Sequence, residues 1–210
     1  MSLVQLIAHA DERGLAASGL ACLDRCVPLL GGDDEILRPL WSTLAHPADA
    51  DAWASRLARV RGALAGPGEP GEGEAALLAR RMLAAAPSEP SAAGLRVWAD
   101  ACSLAALRIH RLLDPAGEDA PEETGDAGET GDAGETGGAG ETGGAGDAEE
   151  TGGGVRGGSP LVAAELRRQT VVLELLAAHG TGGLRRAHEV TTEGRRVLRA
   201  VVSRRARGRG

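Results

Sequence analysis

Between Asp114 and Gly154 the chain carries thirteen acidic residues and neither Lys nor Arg. Within that stretch "GDAGETGDAGETGGAGETGGAGDA", Gly125 to Ala148, places glycine at every third position. No other feature constrains the fold as strongly, because any core must come from the two flanking segments. A glycine in every third place is the register of a collagen strand, where only Gly fits at the crowded axis. The other requirements fail. No Pro occurs in the triplets, and each strand would bring six acids (Asp126, Glu129, Asp132, Glu135, Glu141 and Asp147) with no base to offset them. The unit is a hexad, GETGDA and then GETGGA, far shorter than the repeat of a solenoid. Low hydrophobicity and one-sided charge do not offset the entropy lost on ordering. Residues 114–158 are therefore expected to be a disordered acidic Gly-rich linker, spanning roughly 35–40 Å r.m.s..

The net charge of −7 hides how this linker divides the chain. Residues 1–113 hold 13 acids and 11 Arg, close to neutral, whereas residues 155–210 hold 4 acids and 12 Arg. A polyanion is thus joined to a polycation. All of the positive side chains are Arg, and the aromatic residues are Trp41, Trp53 and Trp98. The dominance of Ala, Gly, Arg and Leu follows GC-rich codons and points to a high-GC bacterial genome.

A core without Phe and Tyr has to be built from Leu, Val, Ala and Trp. Ala and Leu are strong helix formers, and the periodicity agrees. Leu20, Leu23, Val27 and Leu30 step by three and four, as do Trp53, Leu57, Val60 and Leu64. Trp98, Cys102, Ala105, Ile109 and Leu112 trace one further face. Such stripes are those of amphipathic helices packed on one side. The breaks fall at GGDDE (31–35), HPADAD (46–51), GPGEPGEG (66–73) and PSEPSAAG (87–94), with Asp33, Asp34 and Glu35 opening a helix and Ser91 capping another. Six helices are expected in the first segment, near 2–13, 16–30, 34–45, 48–65, 74–86 and 92–113.

The last segment reads as a basic helical hairpin. Ser159-Pro160 is a cap followed by proline in the first helical position. Val162, Leu166, Leu173 and Leu176 continue the stripe, HGTGG at 179–183 stops it, and a second helix runs from Leu184. Its apolar face is Leu184, Ala187, Val190, Val197, Leu198, Val201 and Val202. Arg185, Arg186, Arg195, Arg196, Arg199 and Arg204 fall on the other. Two helices bury too little to stand alone. The expected architecture is an all-α bundle of about eight helices interrupted by the acidic insert: a helical domain at 1–113, a linker at 114–158, and a hairpin at 159–210 that packs on the first domain.

Few residues suggest chemistry. Cys22 and Cys26 lie four apart on one helix, a spacing that can hold two metal ligands, yet no second pair accompanies them, and small buried Cys is the simpler reading. AHE at 187–189 has Thr192 where a zincin helix needs its second His. No His follows an acid by three, as di-iron bundles require. P-loop and nucleophile-elbow patterns are missing. We expect no catalytic, cofactor or metal residues.

The remaining candidate is the C-terminal tail. Arg195, Arg196, Arg199, Arg204, Arg205, Arg207 and Arg209 lie within fifteen residues and can meet an anion or the backbone of a nucleic acid. Without Phe or Tyr there is nothing to stack on exposed bases. The expected function is that of a non-catalytic helical interaction or regulatory protein with a protein partner. Two alternatives stand beside it: auxiliary nucleic-acid binding through the tail, modulated by the acidic linker, and a helical enzyme or metal protein whose site assembles only in three dimensions. The first twenty residues lack a basic start and a long apolar run, and three Cys make no disulfide framework. A cytoplasmic location is expected.

Overall fold

The computed structural model describes residues 1–46, 52–64, 73–114 and 159–208. Among the described residues the regular structure is helical, with no strand. Eight α-helices follow one another: α1 (Leu3–His9), α2 (Glu12–Cys26), α3 (Arg38–Ala45), α4 (Trp53–Leu64), α5 (Glu74–Ala85), α6 (Ala92–Leu112), α7 (Pro160–His179) and α8 (Leu184–Gly208). This is the all-α fold that Ala- and Leu-rich stripes require. The expected linker lies outside the described residues apart from Asp114, as do parts of the HPADAD and GPGEPGEG breaks.

Several boundaries follow caps that the periodicity does not register. Asp11 accepts a hydrogen bond from the Gly14 backbone N–H at 2.7 Å. It thereby starts α2 at Glu12, four residues before the expected position. Pro28 turns the end of that helix into a 3-10 turn, Val27–Leu29. The acids of GGDDE do not open α3, which begins at Arg38. Asp33 instead folds back to accept from the Glu35 N–H, an Asx turn that competes with the helix. Ser91 and Ser159 cap α6 and α7 through the N–H groups of Gly94 and Val162. Gly180, at φ 53, ends α7 in a conformation that side chains resist.

α2 is the axis of the bundle. Thirteen of its fifteen residues, Gly14 to Cys26, are buried, because α6, α7 and α8 all pack against it. Small residues make that enclosure possible. At Gly19 an added Cβ would lie 2.6 Å from the Trp98 ring. Each Trp buries its apolar body and finds an acceptor for its N–H: Trp98 bonds to the Met82 carbonyl at 2.9 Å, Trp53 to Pro87 at 2.7 Å and Trp41 to Asp24. One core cluster includes residues from all eight helices.

Candidate functional site

Full enclosure of α2 forces its two charged residues near the C-terminal end, Asp24 and Arg25, into the interior. Both are wholly buried. Being adjacent on a helix, they face different neighbours. Arg25 turns to α7, where Glu165 is equally buried. Its Nε donates to Glu165 Oε2 at 2.8 Å and its Nη2 to Oε1 at 2.6 Å. The result is a bidentate fork, the geometry in which guanidinium and carboxylate fit best. Gln169, one turn on, donates from Nε2 to Oε1 at 2.9 Å and accepts from the Ser103 hydroxyl of α6 at 2.6 Å. His110 completes the cluster. Its Nδ1–H donates to the Ala106 carbonyl at 2.8 Å, and its Nε2 faces Glu165 Oε2 at 3.6 Å. A carbonyl only accepts, so the Nδ1 tautomer is the one that fits.

The electrostatics follow from burial and pairing. Desolvation would raise the Glu165 carboxyl, but the Arg25 guanidinium, His110 and the hydrogen bonds outweigh it and hold the group below the usual carboxylate range. Desolvation likewise opposes the charge on Arg25, and Glu165 overrides it, so the guanidinium is held even more firmly protonated. His110 goes the other way. Burial lowers its affinity for a proton more than Glu165 raises it.

Asp24 anchors a second cluster. Its Oδ1 meets Arg195 of α8, and its Oδ2 accepts from the Trp41 indole at 2.9 Å. Arg195 also approaches Asp34 in the turn before α3, at 3.4 Å, and Arg199 pairs with the same carboxylate. Burial pushes the Asp24 carboxyl up, against the pull of Arg195 and the Trp41 N–H. His188 packs edge-on against the Trp41 ring, 5.3 Å between centroids.

One glycine lets the elements meet. At Gly194 of α8 a Cβ would overlap Cδ of Arg25 and lie 2.9 Å from Cδ of Arg168. The two arginine stems thus cross the α8 backbone where only hydrogen fits. The Nη1 atoms of Arg25 and Arg168 are buried there without a hydrogen-bond partner among the described residues.

The cysteines are packing groups beside this network. All three are buried and unpaired. Cys22 accepts from Arg25 Nη2 at 3.4 Å, and burial pushes its thiol up to about 12. Burial raises Cys26 and Cys102 as well. A thiol held neutral is a poor nucleophile and a poor ligand. Among the described residues no three His, Cys, Asp or Glu side chains are grouped as a metal site.

The seven tail arginines separate into distinct roles. Arg195 does not lie on the solvent face assigned to it from the sequence: it is buried against Asp24, because Gly194 draws this turn of α8 into the bundle. Arg199 is half exposed and paired with Asp34. Arg196, Arg204 and Arg207 are exposed, Arg205 is partly buried, and Arg209 lies outside the described residues. Sequence reasoning missed Arg25, Glu165, His110 and Gln169. Their one available signal is GLAASGLACL at 14–23, ten uncharged residues in which small ones alternate with Leu, as in a helix enclosed on all sides.

A cleft of about 450 Å³, lined by Asp11, Glu12, Arg13, Thr43, Trp53 and Leu95 among others, shares no residue with either cluster. No helix among the described residues is long and apolar enough to cross a membrane. Comparison with protein-family models, with curated proteins and with solved structures finds no match to this chain.

Proposed function

We propose that this chain is a non-catalytic helical interaction or regulatory module that works by engaging a protein partner. The reading rests on the closure of its polar centre. Arg25, Glu165, His110 and Gln169 converge as catalytic groups would, yet each is at most 2% exposed, and Arg25 and Glu165 are not exposed at all. Their hydrogen bonds are directed at one another and at the helices they join. At that exposure they present almost no surface to a substrate, and general acid–base work requires contact with the proton to be moved. The enzyme alternative is therefore the weakest of the three. A cytoplasmic setting is part of the same proposal.

The second reading is auxiliary nucleic-acid binding. What favours it is that Arg185, Arg196 and Arg207 recur every eleven residues on α8, which returns them to one side of the helix after three turns. Affinity capture with the full-length chain from its own lysate, with and without nuclease, separates the two. One stoichiometric protein that survives nuclease supports the module. Mixed material that disappears with nuclease supports the arginine face as a nucleic-acid surface.

A further inference from the structure

We propose that the exposed arginine face at the C-terminal end of α8 is the docking surface for this chain's own acidic stretch, residues 118–150. This deepens the reading of the chain as a binding module by naming what sits on its basic face.

The first observation is where the acidic stretch leaves and rejoins the bundle. The Ser159 hydroxyl donates to the Asp114 carboxylate, and the Leu161 N–H approaches the same oxygen at 3.3 Å. Residues 45 positions apart are thus clasped, so the span between them departs from and returns to one point. That point is beside the basic end of α8. Leu112 and Leu113, immediately before the clasp, line the same groove as Val202 and Arg205.

The second observation is the face itself. After Glu193 the helix carries no acid. Arg195 and Arg199 are taken by Asp24 and Asp34. Arg196, Arg204 and Arg207 are exposed and make no ion pair among the described residues. At about 100° per residue the three fall within one sector of about 80°. Ala200, which is exposed, lies between them, and the exposed Ser203 borders the sector. The face is therefore charged, and only small side chains separate its arginines.

Charge and reach complete the argument. Residues 118–150 hold twelve acids and no base. Half of the clasped span has an r.m.s. reach of about 25 Å, and Arg196 to Arg207 covers about 16 Å of helix. Clasping at this position keeps the carboxylates at about millimolar effective concentration next to the arginines. An outside polyanion has to compete with that.

The test uses the full chain with a nitroxide on Ala133→Cys; the native thiols are buried and stay unlabelled. Paramagnetic broadening is then read by NMR at the amides of residues 194–208 and at the Arg side-chain Nε–H groups. The expected result is broadening concentrated on Arg196, Arg204 and Arg207, beyond that at Arg108 and Arg111 near the clasp. It is lost at about 1 M salt, where screening acts within about 3 Å, and lost in the triple variant Arg196→Gln, Arg204→Gln, Arg207→Gln. Equal broadening of Arg108 and Arg111, or broadening indifferent to salt, overturns the proposal. So does an unbroadened α8 face whose triple variant weakens binding of a short DNA duplex. None of these readouts needs an outside protein, so the capture experiment can fail while this one succeeds, and the reverse.

Discussion

Replacing Glu165 by Gln should be among the most damaging single changes this bundle can suffer. The substitution keeps the shape and removes the charge. Glu165 accepts two hydrogen bonds from Arg25 and one from Gln169. Gln offers one acceptor oxygen in place of two, and its NH₂ is directed at a guanidinium or at the Gln169 amide. Arg25 is left charged at zero exposure, with its Nη1 already unpartnered. Removing one partner of a buried pair costs about 3–5 kcal/mol. At about 2–4 °C per kcal/mol for a chain of this size, the loss is about 6–20 °C in Tm. Arg25→Met should cost a similar amount by stranding the carboxylate. The double variant Arg25→Met/Glu165→Leu is the informative one. It replaces the pair with apolar groups of similar volume and should return to within about 1 kcal/mol of the parent, since apolar replacement of buried pairs is often neutral or better. Urea unfolding followed by Trp fluorescence, with Glu165→Leu measured as the second single variant, gives all four corners of the cycle. A Glu165→Gln loss below about 1 kcal/mol, or losses that add in the double variant, would refute the sealed-pair argument.

Gly194→Ala should destabilise by about 1–3 kcal/mol, the range for overpacking, because the Arg25 stem that its Cβ meets is locked by Glu165. Gly62→Ala in α4, where a Cβ meets nothing within 4 Å, should instead stabilise by about 0.5–1 kcal/mol, and thermal melts of the two variants check the contrast. Because burial lowers the His110 pKa, the unfolded chain takes up the proton first, so His110 makes stability fall as pH drops below about 6.5. The Glu165 contribution, from a lowered carboxyl pKa, persists to lower pH and is lost only below about 4.3. Burial raises Asp24, which works in the opposite sense as pH climbs from about 3.9. The difference between the parent and His110→Leu isolates the first step, and equal slopes between pH 7 and 5 would contradict it. All three thiols should resist a thiol-exchange dye in the folded chain and react in denaturant; rapid labelling without denaturant would show that α2 is open to solvent.

The fold was legible where its cause is local. Stripes of Leu and Ala specify helices, and Ser91 and Ser159-Pro160 mark starts with residues that bond the first free N–H groups. The displaced boundaries arise where two local rules compete: Asp33 has a side chain that makes a turn as readily as it opens a helix. The polar clusters were not legible. Arg25 and Glu165 are 140 positions apart, and apart from the uncharged run at 14–23 that precedes Arg25 nothing in either neighbourhood distinguishes them from surface charges. Arg195 looks like one more member of a basic run. Only Gly194, whose missing Cβ admits α2, separates it from Arg196, and a lone Gly in a helix has several meanings. Charges on an enclosed helix become visible once its neighbours are known.

The clasp between Asp114 and Ser159 also bears on how this chain can change over generations. Because the bundle fixes both ends of the intervening span at Asp114 and Ser159, its length enters through the entropy of closing the loop. Closure entropy grows only with the logarithm of length, so two further hexads would cost about 0.2 kcal/mol, less than a single exposed ion pair contributes. Tandem copies of GETGDA are the kind of sequence in which replication slips. Here each slip adds or removes carboxylates in fixed lots between the same two clasped ends. The gene can therefore retune the charge of this protein in steps without renegotiating its fold.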